Sequence, residues 1–216
     1  MKPRILIIGF NKCGTTSLAF LLRKANIATL HYRDRAGGRI LPRMLASNFS
    51  LGRPLLSGMD DYTAFCDMAM TTPRLAFEGC RLFRQFDATY PDAYFILNTR
   101  PVDDWIRSRL RHRQGKFAQQ YAAALHCTPE DLPQIWREEM QAHTAEVREH
   151  FRGRTDRFLE FDIANDSPER LAQLLASEYR VDTRYWRRLN ATERPMENGN
   201  AAHSSSGMVR AGVENG

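Results

Sequence analysis

Residues 4–25 read RILIIGFNKCGTTSLAFLLRKA, and how this stretch folds decides the rest. The β-branched run from Arg4 to Gly9 predicts a strand. Thr15 to Ala25, with Leu18, Leu21, Leu22 and Ala25 at helical spacing, predicts a helix. The turn between them carries Gly9 and Gly14. A strand, a glycine-bounded loop and a helix in that order turn backbone N–H groups and a positive helix end toward a phosphate-like anion. In the pattern G-x-x-x-x-G-K-[ST] the lysine follows the second glycine. Here Thr15 holds that place, and the nearest lysine is Lys12, inside the loop. The plain alternative is a turn that joins strand to helix and binds nothing.

Working outward, IATLHY at 27–32 predicts a second strand, and 33–58, rich in Gly and Pro, a loop-rich excursion. Helical patterns follow at 59–70 and 74–89. YFILNT at 94–99 reads as the third strand, closed by Arg100-Pro101. Pro101 suits a first helical turn and Asp103 and Asp104 suit the helix dipole, so WIRSRLRHR continues as helix. Further helices are predicted at 116–125 and 129–151, the latter with Thr128 as N-cap and Pro129 at its first position. RFLEF at 157–161 is a last strand, and SPERLAQLLASEY a helix capped by Ser167. Strands alternating with helices predict an α/β, three-layer fold with a central parallel sheet flanked by helices. Residues 1–192 read as one such domain and 193–216 as a flexible C-terminal tail. Ligands of such sheets bind at the carboxyl ends of the strands, where 9–16 and 99–108 both begin.

Composition narrows the function classes. The net charge is +6 in 216 residues, which suits an anionic ligand. The apolar run ILIIGF is too short for a signal-peptide core, and no stretch approaches a membrane span. Cys13, Cys66, Cys80 and Cys127 are scattered, without metal-ligand spacing, so the reading is a reduced, cytoplasmic protein with no structural metal. A nucleic-acid-binding module would use the basic charge, but no recognised motif supports it. RSRLRHR at 107–113 reads as a solvated helix in preference to a nucleic-acid contact. Trp105, Ile106 and Leu110 are assigned to the core, as are Trp136, Met140, Val147 and Phe151.

An ATP-type loop is accompanied by an acid at the end of a neighbouring strand, which holds Mg²⁺. YFILNTR ends instead in Asn98, Thr99 and Arg100. A cation in that place argues for a phosphate-bearing ligand without Mg²⁺. NKCGTTSL resembles the 5′-phosphosulfate loop of sulfotransferases, and TRPVDDWIRS resembles their 3′-phosphate motif, an arginine at a strand end with a serine eight positions on. Arg100 and Ser108 match that spacing, and FLEFDIANDSPERLAQLLA is similar to a later strand–helix of such domains, so the resemblance covers roughly 4–178. It departs at Asn98-Thr99 and at Val102, where many relatives carry an aspartate beside the proline. The pattern is closest to the short bacterial-type domains.

The resemblance implies 3′-phosphoadenosine 5′-phosphosulfate (PAPS) as co-substrate and a hydroxyl or amine of a small-molecule, carbohydrate or lipid as acceptor. It implies donor contacts from Asn11, Lys12, Cys13, Gly14, Thr15, Thr16, Ser17, Arg100 and Ser108, with Lys12 catalytic. Physical chemistry agrees: a transferring sulfuryl group carries less negative charge than a phosphoryl group, so N–H donors and one lysine serve it without a divalent cation. An arginine plus a hydroxyl suits the 3′-phosphate, and eight helical residues span about 12 Å, so Arg100 has to lean along its helix to meet Ser108. Cys13, near a helix start, is not assigned a catalytic role. The base stays open. His31, at the end of the second strand, is the first candidate, Asp67 the second and Glu78 the third, against a His31 that merely hydrogen-bonds in a loop. A P-loop nucleotide or small-molecule kinase is the alternative function. Segments 33–58 and 113–128 are candidates for an acceptor pocket or lid.

Overall fold

The computed structural model describes residues 2–189 except 35 and 37; the tail expected at 193–216 lies outside the described residues. A five-stranded parallel sheet forms the centre, built from β1 (Ile5–Ile7), β2 (Thr29–His31), β3 (Ala64–Cys66), β6 (Tyr94–Thr99) and β7 (Phe158–Asp162). The order is β2-β3-β1-β6-β7, so β1 is central, with β3 on one side and β6 on the other. Seven α-helices are described: α1 (Thr15–Lys24), α2 (Leu41–Ser50), α3 (Phe83–Thr89), α4 (Val102–Arg111), α5 (Lys116–Leu125), α6 (Leu132–His150) and α7 (Glu169–Leu175). The three-layer α/β architecture expected from the alternation of elements is present.

Successive residues of a strand face opposite sides of a sheet, and the burial follows that rule. Leu6, Ile8, Leu30, Phe65, Phe95 and Leu97 pack under α2, α3 and α6. Ile5, Ile7, Ala64, Cys66, Tyr94 and Ile96 pack under α1 and α7. Both faces are therefore covered, and each fully buried Leu, Ile or Phe contributes roughly 1.5–3 kcal/mol to that packing. A third apolar cluster joins Phe10 and Cys13 of the first loop to Trp105 and Ile106 of α4, Phe117 and Tyr121 of α5, and Trp136 and Met140 of α6.

Several expectations are overturned. The helix expected over 59–70 is absent; its centre is β3, three residues buried on both faces. It pairs in parallel with both β1 and β2. The helix expected over 74–89 begins as β5 (Leu75–Glu78), the partner of β4 (Ala69–Thr72) in an antiparallel hairpin, and becomes helical only through a 3₁₀ turn at Gly79–Leu82 leading into α3. YFILNT is thus the fourth strand of the main sheet in chain order. The 33–58 excursion contains α2, entered through Pro42 in its first turn. Asp131, not Thr128, precedes α6; its carboxylate accepts from the Thr128 N–H at 2.9 Å and from the Thr128 hydroxyl at 2.8 Å. Pro168, not Ser167, occupies the N-cap of α7.

Candidate active site

At the carboxyl edge of the sheet lies a cavity of about 520 Å³. Its wall includes Asn11, Lys12 and Gly14 from the first loop, Thr15, Thr16 and Ser17 from the start of α1, His31 at the end of β2, Asp67 just after β3, and Arg100 and Ser108 after β6. Every residue that sequence offered for donor binding or catalysis, except Cys13 and Glu78, borders this one space. Cys13 is fully buried behind the loop, and burial pushes its thiol up to about 12. It does not line the cavity, and its carbonyl is taken by Asn98. Glu78 lies beneath the floor, ion-paired to Arg109.

The loop is held from behind. Gly9 passes so close to β6 that an added Cβ would stand 2.0 Å from the Asn98 carbonyl oxygen. The Gly9 N–H donates to Asn98 Oδ1 at 2.9 Å, and Asn98 Nδ2 donates to the Cys13 carbonyl at 2.8 Å. Trp105 Nε1 donates to the Asn11 carbonyl at 2.9 Å and Arg100 Nη1 to the Lys12 carbonyl at 3.1 Å. With three successive carbonyls turned back into the protein, the loop's N–H groups and the unpaired first N–H groups of α1 are available to the cavity. Gly14 adopts φ 75°, and a Cβ there would strike Ile163 at 1.7 Å, so both the backbone and the opposing wall require glycine.

Among the described residues seven non-glycines have positive φ, and three of them lie at this edge: Lys12 (φ 65°) in the loop after β1, and Tyr32 (φ 56°) and Asp67 (φ 60°) directly after β2 and β3. Each such residue costs on the order of 1 kcal/mol or more, and outliers of this kind cluster at functional sites.

The electrostatics divide the cavity. Burial lowers the Lys12 ammonium from its ordinary value, with Asp67 opposing the shift and Arg100 adding to it. Asp67 is not on a helix but immediately follows β3, with a side chain 23% exposed. Desolvation, and after it the charge of Glu78, raises its carboxyl to about 7. His31 Nε2 lies 3.7 Å from Asp67 Oδ2 and 3.3 Å from Thr15 Oγ1. Burial, and after it Arg23, lowers this imidazole to about 4, so it is neutral across the physiological range.

Other lining residues escaped the sequence reading. Asp104 shares one face of α4 with Ser108, at i−4, a register that was available in the sequence, and His112 lines the cavity from just past the end of the helix. Burial, and after it Lys12, lowers His112 to about 4. Among the described residues, none of 33–58 or 113–128 contributes to this wall. Ile163, Ala164, Asn165, Arg188 and Leu189 close it instead, and the Leu189 N–H donates to Ser17 Oγ at 2.9 Å. Arg109, expected on a solvated face, is completely enclosed.

Among the described residues no helix is long and apolar enough to cross a membrane. No curated protein matches the chain. Residues 4–127, more than half of the 216, match the sulfotransferase domain family.

Proposed function

The chain belongs to the sulfotransferase domain family, and from that premise we propose that it moves a sulfuryl group from PAPS to a hydroxyl or amine of a small-molecule, carbohydrate or lipid acceptor, without a divalent metal. The observation that carries this reading is the pairing of two anion stations in one cavity. Lys12 with the loop amides stands at the end of β1, and Arg100 with Ser108 after β6. A donor with a 5′-phosphosulfate and a separate 3′-phosphate needs two such stations, and the cavity has the size of a nucleotide site. Four unpaired thiols, three of them buried, accord with a cytoplasmic setting.

When bound, PAPS supplies the sulfuryl group and leaves as the bisphosphate. Thr15, Thr16 and Ser17 at the start of α1 receive the 5′ group, and Lys12 meets the charge that develops on the leaving oxygen. Arg100 and Ser108 hold the 3′-phosphate. Asp67 takes the acceptor's proton, because a carboxyl near 7 is matched to proton transfer at neutral pH, while an imidazole near 4 is a weak base there. His31, beside Asp67 and Thr15, orients the carboxylate. This inverts the order in which sequence ranked the two.

One observation favours the kinase alternative. β1 has two neighbours, and β3 does end at an acid, Asp67, where a magnesium-binding carboxylate would stand. Against it stand Thr15 in place of the lysine after Gly14, and the family itself. Incubation with donor labelled in its sulfur, in EDTA, tests the proposal: label transferred to an acceptor supports it. Activity that requires Mg²⁺ and ATP overturns it.

A further inference from the structure

Arg109 follows Ser108 on α4, and one helical step turns it about 100° away from the cavity and into the protein. Among the described residues it is the one arginine fully withdrawn from solvent. Its guanidinium lies 4.7 Å from the Trp105 ring, 4.8 Å from Trp136, 5.0 Å from Phe117 and 5.1 Å from Tyr121. Two bonds leave this aromatic cage. Nη2 pairs with Glu78 at the end of β5, and Nε donates to Asn11 Oδ1 in the loop at 2.9 Å.

Stability alone does not account for this arrangement. A buried ion pair seldom recovers its desolvation cost, and apolar side chains of similar volume commonly pack as well or better. Here the pair is also incompletely satisfied, since Arg109 Nη1 and Glu78 Oε2 have no protein partner. What an apolar pair would lack is the connection. Glu78 stands opposite Ala69 across the base of the β4–β5 hairpin, and Asp67 is the residue two before Ala69. The Gly79 N–H to Met68 carbonyl bond, 3.0 Å, ties that base together. One buried cation thus joins the loop that carries Lys12 to the strand exit that carries Asp67.

We infer that Arg109 is a positioning residue: through Asn11 and Glu78 it sets the loop against the Asp67 side of the site. The inference rests on the PAPS reading for its ligand but not for the order of the loop. The test compares wild type with Arg109→Met/Glu78→Leu, Asn11→Ala and the triple variant. It follows melting temperature, amide exchange over residues 9–17 without ligand, and affinity for adenosine 3′,5′-bisphosphate.

The Arg109→Met/Glu78→Leu protein should melt at or near the wild-type temperature, yet exchange its loop amides about tenfold faster and bind the bisphosphate about tenfold more weakly. Asn11→Ala should do the same, and the triple variant should lose no more than either, because the effects run through one contact. Wild-type exchange and affinity in the Arg109→Met/Glu78→Leu protein, or losses that add in the triple variant, would overturn the inference. Should that protein fail to fold, Arg109→Lys, which keeps a charge beside Glu78 but has one nitrogen where the guanidinium uses two to reach Glu78 and Asn11, gives the same comparison. If wild type binds no bisphosphate the PAPS reading fails, and the exchange rates still decide the role of Arg109.

Discussion

The two neighbours of β1 make different halves of one site. On the β6 side a six-residue strand runs into α4 and delivers Arg100 and Ser108 to the cavity, the pair we propose to hold an anion by charge and hydrogen bonding. On the β3 side three residues end at Asp67, beside His31, and burial there holds one acid near 7 and one imidazole near 4. The β6 flank presents a guanidinium, although His112 at its far end is also held near 4, and among the described residues the β3 flank presents no cation. The difference teaches that a single cavity can bind by supplying cations on one wall and govern a proton by withholding water on the other.

Substitutions at the two flanks should therefore fail in different ways. The largest effect is expected between them, at Lys12. Lys12→Ala should lower turnover by two or more orders of magnitude, roughly the loss of one transition-state contact, while bisphosphate affinity falls far less. Wild-type turnover in that protein would remove the lysine from the chemistry.

Next comes the β3 flank. Asp67→Asn should cut kcat about a hundredfold with donor affinity nearly unchanged. The wild-type rate should rise with pH through a midpoint near 7, as the carboxyl of Asp67 ionises, and that limb should vanish in the variant. His31→Ala should keep the limb and lose about tenfold in rate. A midpoint near 4, abolished by His31→Ala, would return the base to His31.

The β6 flank should show the reverse pattern. Arg100→Ala should weaken adenosine 3′,5′-bisphosphate about tenfold or more and 5′-AMP, which has no 3′-phosphate, distinctly less, the smaller loss reflecting the bond from Arg100 to the Lys12 carbonyl. Equal losses for both ligands would place the arginine elsewhere.

The smallest effect is on stability. The Asp67 carboxyl is raised on folding, so its protonated form is the one the fold favours, and wild type is penalised as pH rises through about 7. Asp67→Asn carries no such penalty. Its melting temperature should exceed that of wild type by about 5 °C at pH 8, with the gap closing toward pH 4. An equal gap at both values would assign the change to packing.

The same contrast explains what was legible in the sequence. The β1 loop and β6 were, because Lys12, Gly14, Arg100 and Ser108 are set by local spacing on elements with strong patterns. β3 was not: Ala64, Phe65 and Cys66 are buried on both faces, so they carry no alternation, and the flanking Met59, Met68 and Met70 suit a helix equally well. Asp67 was found but set on the wrong element, and with β3 missed, the acid beside β1 was missed too. Arg109 was misread because basic residues around it suggested a wet face, and only the tertiary arrangement brings Trp136, Tyr121 and Glu78 to it. Asn98 left a signal that went unused, a polar residue near the end of an apolar strand, which clamps the loop through Gly9 and Cys13.

Titration calorimetry of the wild-type protein in EDTA tests the central claim most directly, with adenosine 3′,5′-bisphosphate and ATP compared side by side and ATP repeated with Mg²⁺. The account predicts that the bisphosphate binds without metal and more tightly than ATP under either condition. Tighter binding of ATP, gained only when Mg²⁺ is present, would contradict it.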